Sequence, residues 1–169
     1  MFLILVDAHS KWPEVVKMKT ASSYTTLKAL ASIFARFGYP CQIVTDNGTQ
    51  FISEEFENYL KSNGIQHITT AVGHPATNGQ AERFVQTFKY SLKSSKTTQS
   101  TLDSDLSEFL MAYRNSPHAT TGRSPASLLL GRNVKSRLDL LVPNASTTVD
   151  RNQEKQRQIV FSPGDPVLA

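Results

Sequence analysis

Residues 1–7 read Met1-Phe2-Leu3-Ile4-Leu5-Val6-Asp7, an unbroken apolar run, partly β-branched, that ends abruptly on a carboxylate. A run of this length bounded by a polar turn predicts a strand buried on both faces. It is far short of the roughly 20 residues needed to cross a bilayer. It is also a poor secretory leader, since no basic residue precedes it and Asp7, His9 and Lys11 follow at once.

Working outward, Glu14 to Lys19 predicts a second strand, joined to the first through a turn around Lys11-Trp12-Pro13. Ser22 or Ser23 then caps a helix running to about Phe37. Its apolar positions Leu27, Leu30, Ala31, Phe34 and Phe37 recur at spacings of three and four, and Gly38 stops it. Cys41 to Thr45 is a short strand ended by Asp46-Asn47-Gly48. Ser53 caps a further helix with Glu54 and Glu55 in its first turn, where the helix dipole favours acids. That helix ends at Asn63-Gly64, and Ile65 to Thr69 makes another strand. A loop from Val72 to Asn78 leads into two long helices, about Gly79 to Lys96 and Leu102 to Asn115. Strands interleaved with helices predict an α/β fold with a mixed central sheet flanked by helices. The polar stretch from Pro143 to Gln158 predicts a linker.

The chain's 169 residues suit one domain plus trailing segments. Its 18 Lys and Arg against 14 Asp and Glu give a formal net charge of +4. The excess is uneven: residues 1–82 carry 6 basic and 7 acidic side chains, residues 83–169 carry 12 and 7. A basic second half suits a polyanionic partner, and equally a lysine-rich solvated surface. Cys41 is the sole cysteine, which excludes an internal disulfide framework and a multi-cysteine zinc knuckle. The four histidines, at positions 9, 67, 74 and 118, are too scattered for a compact zinc site.

Three acids stand where catalytic groups are displayed. Asp7 and Asp46 each terminate a strand, and Glu82 lies near the start of the long helix, with 35 residues between the last two. Carboxylates from two adjacent strands and a facing helix make a pocket of hard oxygen ligands, suited to Mg²⁺ or Mn²⁺ rather than zinc. Each acid also has an ordinary reading: turn duty for Asp46, a strand end for Asp7, the helix dipole for Glu82. Thr77 with Gln80 forms a capping-box pattern that fixes the helix start just before Glu82. At 100° per residue, Glu82, Gln86, Lys89 and Lys93 share one stripe, beside an apolar stripe of Phe84, Val85, Phe88 and Leu92. An acid followed by cations on one face suits a phosphodiester track that reads no sequence.

Three segments carry a family resemblance: Val6-Asp7-Ala8-His9-Ser10-Lys11-Trp12-Pro13-Glu14-Val15, Val44-Thr45-Asp46-Asn47-Gly48-Thr49-Gln50-Phe51, and His74-Pro75-Ala76-Thr77-Asn78-Gly79-Gln80-Ala81-Glu82-Arg83. With Ala112-Tyr113-Arg114-Asn115-Ser116-Pro117-His118 and Ser124-Pro125-Ala126 further on, the chain resembles the catalytic core of retroviral and gypsy-type LTR-retrotransposon integrases. The resemblance implies a ribonuclease-H-like fold and DNA integration, with trimming of a DNA 3′ end followed by strand transfer. It sets Asp7, Asp46 and Glu82 at the family's metal-binding acids, with Asp7 bridging two Mg²⁺ or Mn²⁺ ions. His74, Asn78, Gln86 and Lys89 fall at positions associated with DNA contact, and Lys93 extends their track. Element ends and target DNA are the implied partners, with self-association into a homo-oligomer and a nuclear location. No nucleotide cofactor and no membrane are implied.

Residues 1–132 match that core. Residues 133–160 are then a linker, and residues 161–169 resemble the start of a small β-barrel. The family's upstream His/Cys zinc domain has no counterpart in this sequence, and the lead-in to Asp7 is shorter than the family's. The sequence thus reads as a core with its flanking domains cut away. A retained nucleic-acid-binding or interaction module without catalysis is the alternative to an enzyme.

Overall fold

The computed structural model describes residues 1–70, 79–94, 98 and 100–141. Met1–Val134 form one compact unit, and a second begins at Lys135. Of the expected linker, residues 133–141 are described; the rest of it and the expected barrel start at residues 161–169 lie outside the described residues.

Strand β1 (Phe2–Val6) pairs antiparallel with β2 (Pro13–Lys17), placing Phe2 opposite Lys17 and Val6 opposite Pro13. Helix α1 (Ser23–Phe37) follows, with Ser22 as its N-cap in a reciprocal capping box with Thr25. Strand β3 (Gln42–Thr45) runs parallel to β4 (Gln66–Thr69), and helix α2 (Glu54–Ser62), capped by Ser53, makes the crossover between them. Helices α3 (Gly79–Ser94), α4 (Leu102–Asn115) and α5 (Pro125–Leu130) complete the unit. The sequence reading missed α5, although Ser124 caps it, Pro125 opens it and Gly131 closes it in the left-handed conformation.

The apolar run at the N-terminus has two faces to cover, because successive strand side chains point to opposite sides. Leu3 joins the main core with Leu30, Ile33 and Phe34 of α1, Ile43 of β3, and Phe56 and Leu60 of α2. Phe2 instead meets Phe88 of α3 edge-on at 5.3 Å. On that side Phe84, Phe88, Phe109 and Tyr113 form an aromatic layer between α3 and α4. Fully burying each large apolar side chain contributes about 1.5–3 kcal/mol.

The two strand pairs form separate ladders, one antiparallel and one parallel. They share a core through Leu3 and Ile43, yet no ladder joins β1 to β3 among the described residues. The mixed pattern is present, but the strands preceding Asp7 and Asp46 are not hydrogen-bonded neighbours as the sequence reading expected. Among the described residues no helix is long and apolar enough to cross a membrane.

Candidate metal and nucleic-acid site

Asp46 is delivered by a strand anchored from both sides. Ile43 is in the core, and the buried Thr45 shares a 2.9 Å hydrogen bond between its hydroxyl and His67 Nε2 on β4. Beyond the ladder, the Thr70 N–H donates to the Thr45 carbonyl, and Asn47 Nδ2 donates to the Thr70 carbonyl at 3.0 Å. The turn is closed by the Gly48 N–H, which donates to Asp46 Oδ1 at 3.0 Å. Phe51 and Ile52 N–H groups both donate to the Gly48 carbonyl. Asp46 is exposed, and its Oδ2 makes no hydrogen bond among the described residues.

Glu82 sits in the first turn of α3, exposed and without an ion-pair partner among the described residues. The helix is held by Phe84 and Phe88, whose rings stack at 6.2 Å. Gln86, Lys89 and Lys93 are exposed with Glu82, whereas Val85 and Leu92 are partly covered, so the helical stripe faces as the periodicity predicts. His74, Asn78 and the expected capping residue Thr77 lie outside the described residues.

Asp7 has a different occupation. Its Oδ2 accepts the Ser10 N–H at 2.7 Å and the Ser10 hydroxyl at 2.6 Å. Ser10 Oγ, fully buried, accepts in turn from the Trp12 N–H. The Asp7 N–H donates to the Trp12 carbonyl, and the Lys11 N–H donates to the Asp7 carbonyl. Lys11 takes a left-handed φ of 66° within this turn, and its Nζ donates to the Ala8 carbonyl. The carboxylate therefore organises the β1–β2 hairpin. Among the described residues, no group of three or more His, Cys, Asp or Glu side chains stands close enough together to hold a metal ion. Asp7 follows the antiparallel ladder and Asp46 the parallel one; both are exposed, and each gives one carboxylate oxygen to its own turn. Asp7→Ala is expected to destabilise the domain by about 2 kcal/mol, since it leaves buried Ser10 groups without their acceptor. A denaturant titration measures this, and an unchanged midpoint contradicts the turn role.

The sequence reading did not single out Glu14, which forms the most heavily paired polar cluster. Its carboxylate accepts from Arg36 of α1 and Arg114 of α4, each at 3.0 Å, and from Trp12 Nε1 at 2.9 Å. Arg114 also donates to the Pro13 carbonyl and stacks its guanidinium 4.2 Å from the Trp12 ring centroid. Trp12 thus packs within the protein, and Arg114 belongs to Glu14. Burial lowers the Arg114 pKa, and Glu14 opposes that shift. Cys41 is exposed, preceding β3 at the surface.

His118 Nδ1 accepts the Thr120 N–H at 3.2 Å, and the ring packs on Tyr113, a local structural role. Burial pushes its pKa below the usual value of 6.5, with Lys11 and Arg83 adding to the shift. The folded state thus favours the neutral ring. Its contribution to stability is full above the unfolded value and is lost as pH falls below it toward the folded value. The melting midpoint is expected to drop more between about pH 7 and 5 in the parent than in His118→Gln. Equal slopes contradict this assignment.

Strands flanked by helices, with exposed acids at two strand tips and a helix start, define a ribonuclease-H-like α/β domain. The Integrase core domain family matches residues 1–75, and a second family of the same description matches residues 63–125. An uncharacterized protein of Caenorhabditis elegans, K02A2.6, is 42% identical over 142 residues, which is 83% of this chain and 11% of that protein. The Pol polyprotein of Radiation murine leukemia virus (strain Kaplan) is 34% identical over 132 residues, 76% of this chain and 22% of that polyprotein. The HTLV-2 integrase catalytic core domain, solved as a dimeric form in complex with magnesium, superposes with a TM-score of 0.60 at 26% identity. That match covers 75% of this chain and 82% of the solved chain. The chain belongs to the integrase core family and is homologous to retroviral integrases. It spans only a small part of the length of the two polypeptide relatives.

Proposed function

We propose that this domain is the core of a metal-dependent polynucleotidyl transferase that acts in DNA integration, with Asp7, Asp46 and Glu82 as its metal-binding acids. The observation that carries the reading is the state of the two strand-end acids: each is exposed and gives one carboxylate oxygen to its own turn, leaving Oδ1 of Asp7 and Oδ2 of Asp46 unbonded among the described residues. Glu82 offers a further carboxylate without a partner among the described residues. Such hard oxygen donors fit Mg²⁺ or Mn²⁺. A bound ion of this kind supplies Lewis-acid activation of a phosphodiester and its attacking oxygen. The protein's part is to present the carboxylates on rigid elements and to carry the DNA. Lys89 and Lys93, with Gln86, follow Glu82 along the exposed face of α3 and neutralise backbone phosphates. His74 and Asn78 complete that track, and two or more copies assemble on the DNA ends.

The missing three-acid group favours a second reading, a DNA-binding module without catalysis. One assay separates the two. The chain is incubated with Mn²⁺ and a branched strand-transfer product, and resolution of the branch is followed on a gel. Activity in the parent that disappears in Asp46→Asn supports the enzyme. Salt-sensitive binding with no resolution supports the module.

A further inference from the structure

Asp46 takes its direction from the residue before it. Strand side chains alternate, so Thr45 shares a face of β3 with Ile43, which packs with Phe56 and Leu60 of α2. Thr45 is only 7% exposed, and its hydroxyl has one hydrogen-bond partner among the described residues, His67 Nε2 at 2.9 Å. In the ladder His67 stands opposite Ile43, so this bond runs diagonally, two residues toward the end of the strand. The half-buried His67 ring is itself set edge-on against the fully buried Phe56, with centroids 5.3 Å apart. The other ties of this strand end go to Thr70, whose N–H donates to the Thr45 carbonyl and whose carbonyl accepts from Asn47. Those two bonds fix the spacing of the strands. The bond to His67 lies off the ladder, on the α2 face, and resists rotation of the strand end about its own axis. Such a rotation swings the next side chain, Asp46.

We propose that His67 is a positioning residue, which holds the Asp46 carboxylate in its metal-binding direction through the Thr45 hydroxyl. This role rests on the proposed place of Asp46 among the metal ligands. Mg²⁺ demands near-ideal octahedral geometry, so a carboxylate that swings binds it less well than one that is held. Phe56 fixes the plane of the imidazole, and Nε2 thereby becomes a fixed point for the buried hydroxyl.

The test is the Mn²⁺ affinity of the full chain, read by electron paramagnetic resonance well below the thermal midpoint, with the midpoint of each variant measured alongside. Thr45→Val removes the hydroxyl without leaving a buried orphan, and the half-buried His67 turns to water instead. It is expected to raise the Mn²⁺ Kd about tenfold with a midpoint close to the parent's. His67→Gln, whose terminal amide reaches the place of Nε2, is expected to keep the parent's affinity. His67→Asn is too short to reach and is expected to lose as much affinity as Thr45→Val. Thr45→Val combined with His67→Asn is expected to bind no more weakly than either alone, since both remove one bond. Parent-like affinity in Thr45→Val, or equal losses in His67→Gln and His67→Asn, overturns the proposal. Binding in the parent that survives Asp46→Asn overturns the Asp46 assignment and this role with it. Binding that is lost in Asp46→Asn but untouched by Thr45→Val overturns this role alone.

Discussion

Asp7→Asn, Asp46→Asn and Glu82→Gln are each expected to reduce branch resolution in Mn²⁺ about a thousandfold. An amide is a far weaker ligand for a hard cation than a carboxylate, and about 4 kcal/mol of lost transition-state stabilisation corresponds to that factor. Asp7 also accepts from Ser10 through Oδ2. An asparagine side-chain oxygen still accepts the Ser10 N–H, so the hairpin survives with a modest loss of stability and the loss of activity is not a loss of fold. Gel assays across a range of enzyme concentrations measure all three. Activity in Asp7→Asn within about tenfold of the parent would remove Asp7 from the metal-binding set.

Glu14→Ala is the substitution expected to cost most in stability, about 3 kcal/mol. Glu14 is the common acceptor that ties β2 to α1 through Arg36 and to α4 through Arg114. Its removal strands the Arg114 guanidinium, only 20% exposed and already carrying an Nε without a partner. The Arg36 side of the pair adds little, because that side chain is 52% exposed and well solvated. Glu14→Gln keeps the hydrogen-bond acceptors on one oxygen and is expected to lose roughly half as much. Chemical denaturation monitored by Trp12 fluorescence reports both, since the indole sits within the cluster. A loss under about 1 kcal/mol for Glu14→Ala would mean the cluster is incidental to the fold.

Most elements were legible because their signals were local. The capped helices at Ser22 and Ser53, the apolar run before Asp7 and the stripe of Phe84 and Phe88 all follow from periodicity and capping. Helix α5 escaped because six residues are too few for a periodic pattern, leaving only its Ser-Pro opening and glycine end. The Glu14 cluster was invisible for another reason: its partners lie 22 and 100 residues away. In the site, Asp46 and Glu82 were marked by the turn and the helix start that display them. Asp7 is equivalent at the level of sequence, a carboxylate closing an apolar strand. Its turn partner Ser10 stands three residues on, and an aspartate preceding a serine at that spacing is a hydrogen-bonded turn signal in its own right.

Mn²⁺ titration followed by electron paramagnetic resonance, on the parent and on Asp46→Asn, Glu82→Gln and Asp7→Asn, reads out the ion directly and without turnover. The account predicts saturable binding in the parent and its loss or marked weakening in all three variants. Parent-like binding in Asp46→Asn, Glu82→Gln and Asp7→Asn would contradict it.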